Sequence, residues 1–179
     1  MKNLLFTFLL LIIISCNSNK KQTVHREDVK TWHIENYTDK WGEKSKLSYV
    51  IGNFEGTFSN SAVTDAPLSV EFIINKKDIS IRFYEYGDMQ KKGEGDAIII
   101  VRDKDKKEYT ERNDNGFYGG SLELSGKSQS MVRKALLKGG RVMFRIGIRN
   151  NGIQLGSYQF EVPNADGLKE TLAKTMYYK

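Results

Sequence analysis

The sequence predicts a mainly β fold, a single antiparallel β-sandwich or flattened barrel with two short helices in its C-terminal third. Apolar and polar residues alternate along several segments, and this period of two is typical of strands that bury one face. Residues that favour turns separate these segments. Only two segments, both after residue 125, change to helical spacing. A chain of 179 residues has room for one domain with a core of its own.

Folded sequence is expected to begin at Trp32, the first aromatic residue after an apolar N-terminal run. The segments predicted as strands are residues 47–51, 54–58, 68–74, 79–84, 97–101, 122–124, 142–148 and 158–162. The polar residues 75–78 predict a β-hairpin between the third and fourth of these segments. Gly52 and Asn53 interrupt the first two, which we therefore expect to be separate strands. The apolar run at 97–101 is typical of a strand buried on both faces, and residues 113–116 are expected to form a turn.

Two helices are predicted in the C-terminal third. Residues 128–138 carry an apolar stripe that includes Leu137, and Gly139 follows as a suitable C-terminal stop. Residues 165–176 place Leu168, Leu172 and Met176 four residues apart, and Asn164 or Asp166 would cap this helix. Both helices are expected to pack one face against the sheet.

The composition restricts the chemistry that the chain can perform. The formal net charge is +6, and the lysines are spread between the apolar runs. Solvated hairpin ends explain this pattern better than an anion-binding surface, and no nucleic-acid partner is predicted. The two histidines, His25 and His33, lie in regions of different expected order. The acidic residues near Asp103 alternate with lysines that would repel a cation. We therefore predict no metal site, no cofactor and no catalytic residues.

Candidate residues for contact with a ligand or partner lie at two places. Ser59, Asn60 and Ser61 follow a predicted strand, where their side chains either bind a ligand or satisfy the backbone at the strand end. Tyr84 and Tyr86 end another predicted strand. An exposed aromatic patch for a partner or a sugar is one interpretation of these tyrosines, and packing at a sheet edge is the other.

Two further sets of residues extend these candidates. Trp41, Phe117 and Tyr118 would complete the aromatic patch. Glu71 and Glu85 flank the predicted hairpin and would be paired carboxylates if they converged. Because Glu71 alternates with core residues, we expect it to face outward, and two solvated carboxylates are the simpler interpretation.

The first sixteen residues carry the most specific signal. Lys2 precedes an apolar run from residue 4 to residue 14, and Ser15 is followed by Cys16, the only cysteine. The run is too short for a stable membrane-spanning helix and suits a signal peptide. An aliphatic residue, a tolerant position, a small residue and then cysteine resemble the lipobox of bacterial lipoproteins.

This resemblance implies that residues 1–15 form a lipoprotein signal peptide and that Cys16 is lipidated. Residues 16–30 would then be a flexible tether, and residues 31–179 a β-rich globular domain. Asn17 is not the aspartate that retains many such lipoproteins at the inner membrane. The resemblance therefore implies an exported protein with acyl chains such as palmitate, anchored in the outer membrane, with its periplasmic or surface orientation open.

The C-terminal third is similar to the end of exported β-sandwich proteins of the invasion-associated locus B type. The similarity consists of a short helix, the glycine break at 139–140, a strand, and a last strand that turns at Pro163 into a closing helix. It implies an architecture and no functional residue.

The sequence therefore predicts a lipid-anchored envelope protein, a non-enzymatic binding or structural module. Its partner would be an envelope protein or a polysaccharide, in addition to the membrane itself. The alternative is an envelope hydrolase or a small-ligand-binding protein that uses a carboxylate site the sequence does not reveal.

Overall fold

The computed structural model describes residues 31–86 and 95–175. These residues form nine strands and two helices, one helix between the seventh and eighth strands and one after the ninth. The elements in chain order are β1 (His33–Thr38), β2 (Lys44–Ser59), β3 (Ala66–Ile74), β4 (Ile79–Glu85), β5 (Gly95–Arg102), β6 (Glu108–Tyr118), β7 (Ser121–Glu123), α1 (Gly126–Leu137), β8 (Val142–Asn150), β9 (Ile153–Val162) and α2 (Leu168–Ala173). The predicted signal peptide, Cys16 and the tether lie outside the described residues.

All strand pairs are antiparallel, and the strands follow the order β1-β2-β3-β4-β7-β6-β5-β8-β9. Strand β9 also pairs with β2, from Gly56 opposite Phe160 to Ser59 opposite Ser157. This pairing closes the eight strands from β2 through β9 into a barrel. Strand β1 lies outside the barrel and pairs with the N-terminal half of β2. The predicted mainly β antiparallel fold with two short helices is confirmed. Between the two architectures that the pattern left open, the strand order is that of a closed barrel.

The barrel interior is filled by aromatic side chains. Phe144 stacks on Phe160 with ring centroids 4.9 Å apart, and Phe83 stacks on Tyr158 at 4.3 Å. Phe72 contacts both rings of the first pair. Side chains of this size at the centre of an eight-stranded barrel produce a packed core rather than a ligand chamber.

Helix α1 lies across one end of the barrel. Gln129 and Arg133 of the helix donate hydrogen bonds to backbone carbonyls of the β3–β4 turn, and Lys138, directly after the helix, reaches Asp103 of the β5–β6 turn. Buried apolar residues of α1 face the core, although Leu137, which was predicted in the apolar stripe, is exposed. We call this the helix-capped end. The turns at 60–65, 118–120 and 151–152 mark the opposite end.

The predicted hairpin and both predicted helices are present, whereas two local predictions are wrong. Strand β2 is one strand of 16 residues and does not break at Gly52. The glycine instead leaves room for Trp32, because a Cβ at residue 52 would lie 2.5 Å from the indole ring. The expected turn at 113–116 lies inside β6, where residues 114–116 form an irregularity opposite Asp96.

Two further differences concern a strand face and a helix cap. In β5, Ala97, Ile99 and Val101 are buried, but the residues between them are only partly covered, so the strand is not buried on both faces. Helix α2 begins after Gly167, which has a φ of +82° and provides no side-chain cap. The Asn164 side chain instead accepts the backbone N–H of Asp166, and the Asp166 side chain accepts the backbone N–H of Gly140. Leu168 and Leu172 are buried as predicted, and Met176 lies outside the described residues.

Candidate functional site

A buried carboxylate lies at the opposite end of the barrel. Glu85 is 3% exposed, and its Oε1 accepts a hydrogen bond of 2.9 Å from the hydroxyl of buried Tyr158. Burial, together with the neighbouring Glu85 carboxylate, raises the pKa of Tyr158 far above its ordinary value of 10.0. The phenol therefore remains protonated and serves as a hydrogen-bond donor to Glu85. The interpretation of Glu85 as a solvated carboxylate was wrong.

The strand phase could have located this residue. Ile79, Ile81 and Phe83 point inward at every second position of β4, and Glu85 continues that series. Glu71 instead projects from the outer face of β3, where it accepts hydrogen bonds from Arg82 at 3.1 Å and from Tyr84 at 3.4 Å. The two carboxylates lie on opposite faces of one hairpin and form no catalytic pair.

The serine and asparagine candidates hold the β2–β3 turn together. The Ser59 hydroxyl accepts the backbone N–H of Asp65 at 3.0 Å, and the Asn60 side chain accepts the N–H groups of Ala62 and Val63. Ser61 is exposed within the same turn. Asp65 has a φ of +51°, so the turn depends on these bonds to hold a left-handed residue.

The predicted aromatic patch does not form as one surface. Tyr86 is 63% exposed and lies edge-on to Phe58, with ring centroids 5.2 Å apart, beside the β2–β3 turn. Tyr118 is also exposed at this end, whereas Phe117 is buried in the core. Trp41 lies in the turn before β2, on the side of the helix-capped end. Of the two tyrosine candidates, Tyr86 lies beside the β2–β3 turn that follows Ser59, whereas Tyr84 donates its hydroxyl to Glu71 on the outer face of the hairpin.

The helix-capped end collects positive charge from three separate segments. Residues 75–78, 103–107 and 126–141 contain ten basic and three acidic residues. The turns at 60–65, 118–120 and 151–152, at the opposite end, contain one acidic residue and no basic residue. We call the three basic segments the basic platform. Its exposed basic residues are Lys76, Lys77, Lys104, Lys106, Lys107, Lys127, Lys134 and Arg141.

The platform's acidic residues are occupied by contacts within the end itself. Asp103 is buried and accepts backbone N–H groups of Asp105 and Lys107, the Tyr109 hydroxyl, and the Lys138 ammonium at 2.7 Å. The hydrogen bond from Lys138 is the main reason that the pKa of Asp103 is lowered, and the same contact raises the pKa of Lys138. Lys138 also pairs with Asp105. This cluster joins the end of α1 to the β5–β6 turn.

Acid should weaken this junction. Because the folded-state pKa of Asp103 lies below its ordinary value of 3.8, its ionised form stabilises the fold above pH 3.8, and this stabilisation is lost as the pH falls through the folded-state pKa. Asp103→Asn should therefore lower stability at neutral pH and flatten the fall in stability below about pH 4. Denaturant titrations between neutral and acidic pH measure both effects. Asp65→Asn, which removes an exposed carboxylate at the opposite end, is the control, and an equal loss from that change would contradict the assignment.

Strands β1 and β2 continue past the β2–β3 pairing as a two-stranded ribbon. Residues 44–49 of β2 pair with β1 only, since the pairing with β3 starts at Val50. At the tip, Asp39 accepts the backbone N–H groups of Trp41 and Glu43 and so fixes the turn. Trp41 is 79% exposed, and the Lys40 ammonium lies 5.3 Å from its ring centroid. The Tyr37 hydroxyl accepts a hydrogen bond from Asn75, so the ribbon lies beside the platform.

Comparisons with protein-family profiles, with curated proteins and with solved structures give no significant match. Within residues 31–86 and 95–175, no group of three or more His, Cys, Asp or Glu side chains is arranged to hold a metal ion. No helix in this part of the chain is long and apolar enough to cross a bilayer.

Proposed function

We propose that this chain is a lipid-anchored bacterial envelope protein whose barrel is a non-enzymatic module that binds another envelope component. The lipobox-like residues before Cys16 support the anchor, and Asn17 after it supports an outer-membrane location. The packed interior supports recognition on the exterior, because aromatic rings occupy the space in which a barrel of this size would hold a small ligand.

One observation carries the binding role. Buried polar side chains serve internal contacts, as Glu85 does with Tyr158 and Asp103 with Lys138. Exposed basic residues gather instead at the helix-capped end, and the ribbon beside it carries the exposed Trp41, whereas Tyr86 and Tyr118 are exposed at the opposite end. A surface with one dominant sign of charge attracts partners of the opposite sign. The envelope component is accordingly one that presents negative charge.

Cys16→Ala should abolish lipid attachment. Each buried acyl CH₂ contributes about 0.8 kcal/mol to membrane binding, so loss of the chains removes stable anchoring. We expect the wild-type protein to incorporate labelled palmitate and to fractionate with outer membranes. The variant should carry no label and should be soluble in the periplasm or remain unprocessed.

Ser18→Ala, a change in the same polar segment after Cys16, is the control and should retain label and location. Wild-type protein without lipid label would refute the anchor. Chemical crosslinking in intact cells with the wild type and with charge-reversed platform lysines then tests the binding role. A crosslinked partner whose yield does not depend on those lysines would refute the helix-capped end as the binding surface.

The alternative function uses Glu85 as the carboxylate of a hydrolase or a small-ligand site. The observation that favours it is the burial of an acidic side chain at a barrel end, because buried carboxylates are common in catalytic and ligand sites. A hydrolytic activity or bound ligand that disappears in Glu85→Gln, with the fold retained, would establish this alternative over the binding module.

A further inference from the structure

We propose that the basic platform and Trp41 form a membrane-contact surface that places the helix-capped end of the barrel on the anionic phospholipid surface of a bilayer. The inference deepens the proposed function by naming the anionic component. It rests on that function only for the tether at Cys16, since the contact itself is made by the folded domain.

The platform carries an exposed positive charge. Lys104, Lys106 and Lys134 are exposed and come from two segments that the fold brings to the same end. The platform's buried Asp103 is paired with Lys138, and the exposed Asp105 pairs with the same ammonium, so both carboxylates have a cationic partner within the platform. Basic residues near an anionic bilayer each contribute to binding, and the attraction extends about 10 Å at 0.1 M salt.

Exposed apolar groups accompany the basic residues of this surface. Leu137 is 40% exposed on α1 and lies with Arg133, Lys134 and Lys138 around a shallow depression on the helix. Trp41 is held at the ribbon tip by the Asp39 turn, and indole rings favour the headgroup region of a bilayer. Lysine stems can lie along apolar surface while their ammonium groups reach phosphates. A soluble polyanion would satisfy the lysines but leave Leu137 and Trp41 in water.

The folded domain begins a short distance along the chain from Cys16. The described chain starts at Thr31, next to Trp32, which packs at the base of the ribbon against Phe54 and Phe72. Fifteen residues after Cys16 lead to this point, and they can span up to about 50 Å when extended. A lipid on Cys16 would therefore keep the folded domain within about 50 Å of the bilayer and raise the effective concentration for a weak second contact.

The experiment uses the full chain, isolated with its native N-terminal processing and reconstituted into vesicles of phosphatidylcholine with or without phosphatidylglycerol. Acyl chains brominated near the headgroup quench tryptophans that reach the interface. Trp32 is 3% exposed and contributes a constant background fluorescence. The Trp41→Phe variant, in which Trp32 is the remaining tryptophan, measures this background. We expect quenching of Trp41 only with phosphatidylglycerol, and its loss at high salt.

Two charge-reversed variants distinguish the effect of where the basic residues lie from the effect of the protein's net charge. Lys104→Glu/Lys106→Glu/Lys134→Glu should lower the ratio of docked to undocked protein by roughly 100-fold. The control, Arg112→Glu/Arg145→Glu/Arg149→Glu, changes net charge equally at exposed sites away from the platform and should retain docking. Circular dichroism of both triple variants confirms that they are folded.

The outcomes distinguish the two proposals. Protein that floats with both vesicles but shows no quenching of Trp41 would overturn the contact surface and leave the lipid anchor standing. Protein without lipid on Cys16 would refute the anchor, while quenching by added phosphatidylglycerol vesicles would still support the surface. Equal loss of docking in the two triple variants, or lysine-dependent binding of soluble polyglutamate without quenching in vesicles, would overturn the membrane surface.

Discussion

Phe144→Ala is expected to lower the free energy of unfolding by about 3–5 kcal/mol, a large share of the stability of a typical domain. The Phe144 ring is 1% exposed and lies between Phe72 and Phe160 at the centre of the barrel. Its truncation removes the stacking partner of Phe160 and leaves a cavity that rigid strands on all sides cannot fill. Urea denaturation monitored by circular dichroism measures the change in the free energy of unfolding.

Arg145→Ala is the matched control, because Arg145 follows Phe144 in β8 and points to the exposed outer face. We expect its effect to remain within about 0.5 kcal/mol, as for surface substitutions in general. Similar losses from the two substitutions would show that the inward and outward phase of β8 is reversed or absent.

Gly56→Ala is expected to cost on the order of 3 kcal/mol, because it places a methyl group in the seam that closes the barrel. At Gly56, β2 pairs with β3 on one side and with β9 on the other. A Cβ there would lie 2.9 Å from the Cα atom of Phe160 and closer still to the carbonyl oxygen of Gln159. Both are backbone atoms of a paired strand, so only a shift of β9 relieves the clash. Thermal unfolding compares the variant with the wild type.

Gly147→Ala provides the control, since Gly147 is also a strand glycine and a Cβ there meets nothing within 4 Å. Its substitution should be neutral or stabilising by up to about 1 kcal/mol. A Gly56 variant as stable as this control would mean that β2 and β9 are not paired at this point.

The elements that were predicted correctly depend on neighbours in the sequence. The β3–β4 hairpin has an alternating pattern on both sides of residues 75–78, and the structure pairs Ile74 with Ile79 directly across that turn. Helix α1 ends before Gly139, whose φ of +80° suits glycine. In each case the signal lies within a few residues of the structure that it specifies.

The errors share a different cause. Gly52 and the residues at 113–116 are of types that favour turns. Both nevertheless lie inside strands, because they contact residues that are distant in the sequence. Gly52 admits Trp32, and the Asn113 side chain bonds to Glu123, Ser125 and Ser128 across a later turn. A local propensity of a few tenths of a kcal/mol is readily outweighed by such tertiary contacts.

The candidate sites divide in the same way. The lipobox-like segment is read from consecutive residues, because the enzymes that process such signals act on an unfolded N-terminus. The Ser59 and Asn60 side chains were expected either to bind a ligand or to satisfy the backbone at the strand end, and the structure has them bonded within the β2–β3 turn. The basic platform was not predicted, because its lysines are up to about sixty residues apart in the chain.

By itself, the sequence determined the β class, the phase of the inward faces, the hairpin and the two helices, since each follows from a period or motif of a few residues. The tertiary structure alone decided that β9 returns to β2 and closes a barrel, that Glu85 meets Tyr158, and that lysines from three segments share one end with the Trp41 ribbon. These features depend on the register between strands far apart in the chain, and the free energy that selects such a register comes from packing the whole core rather than from any local pattern.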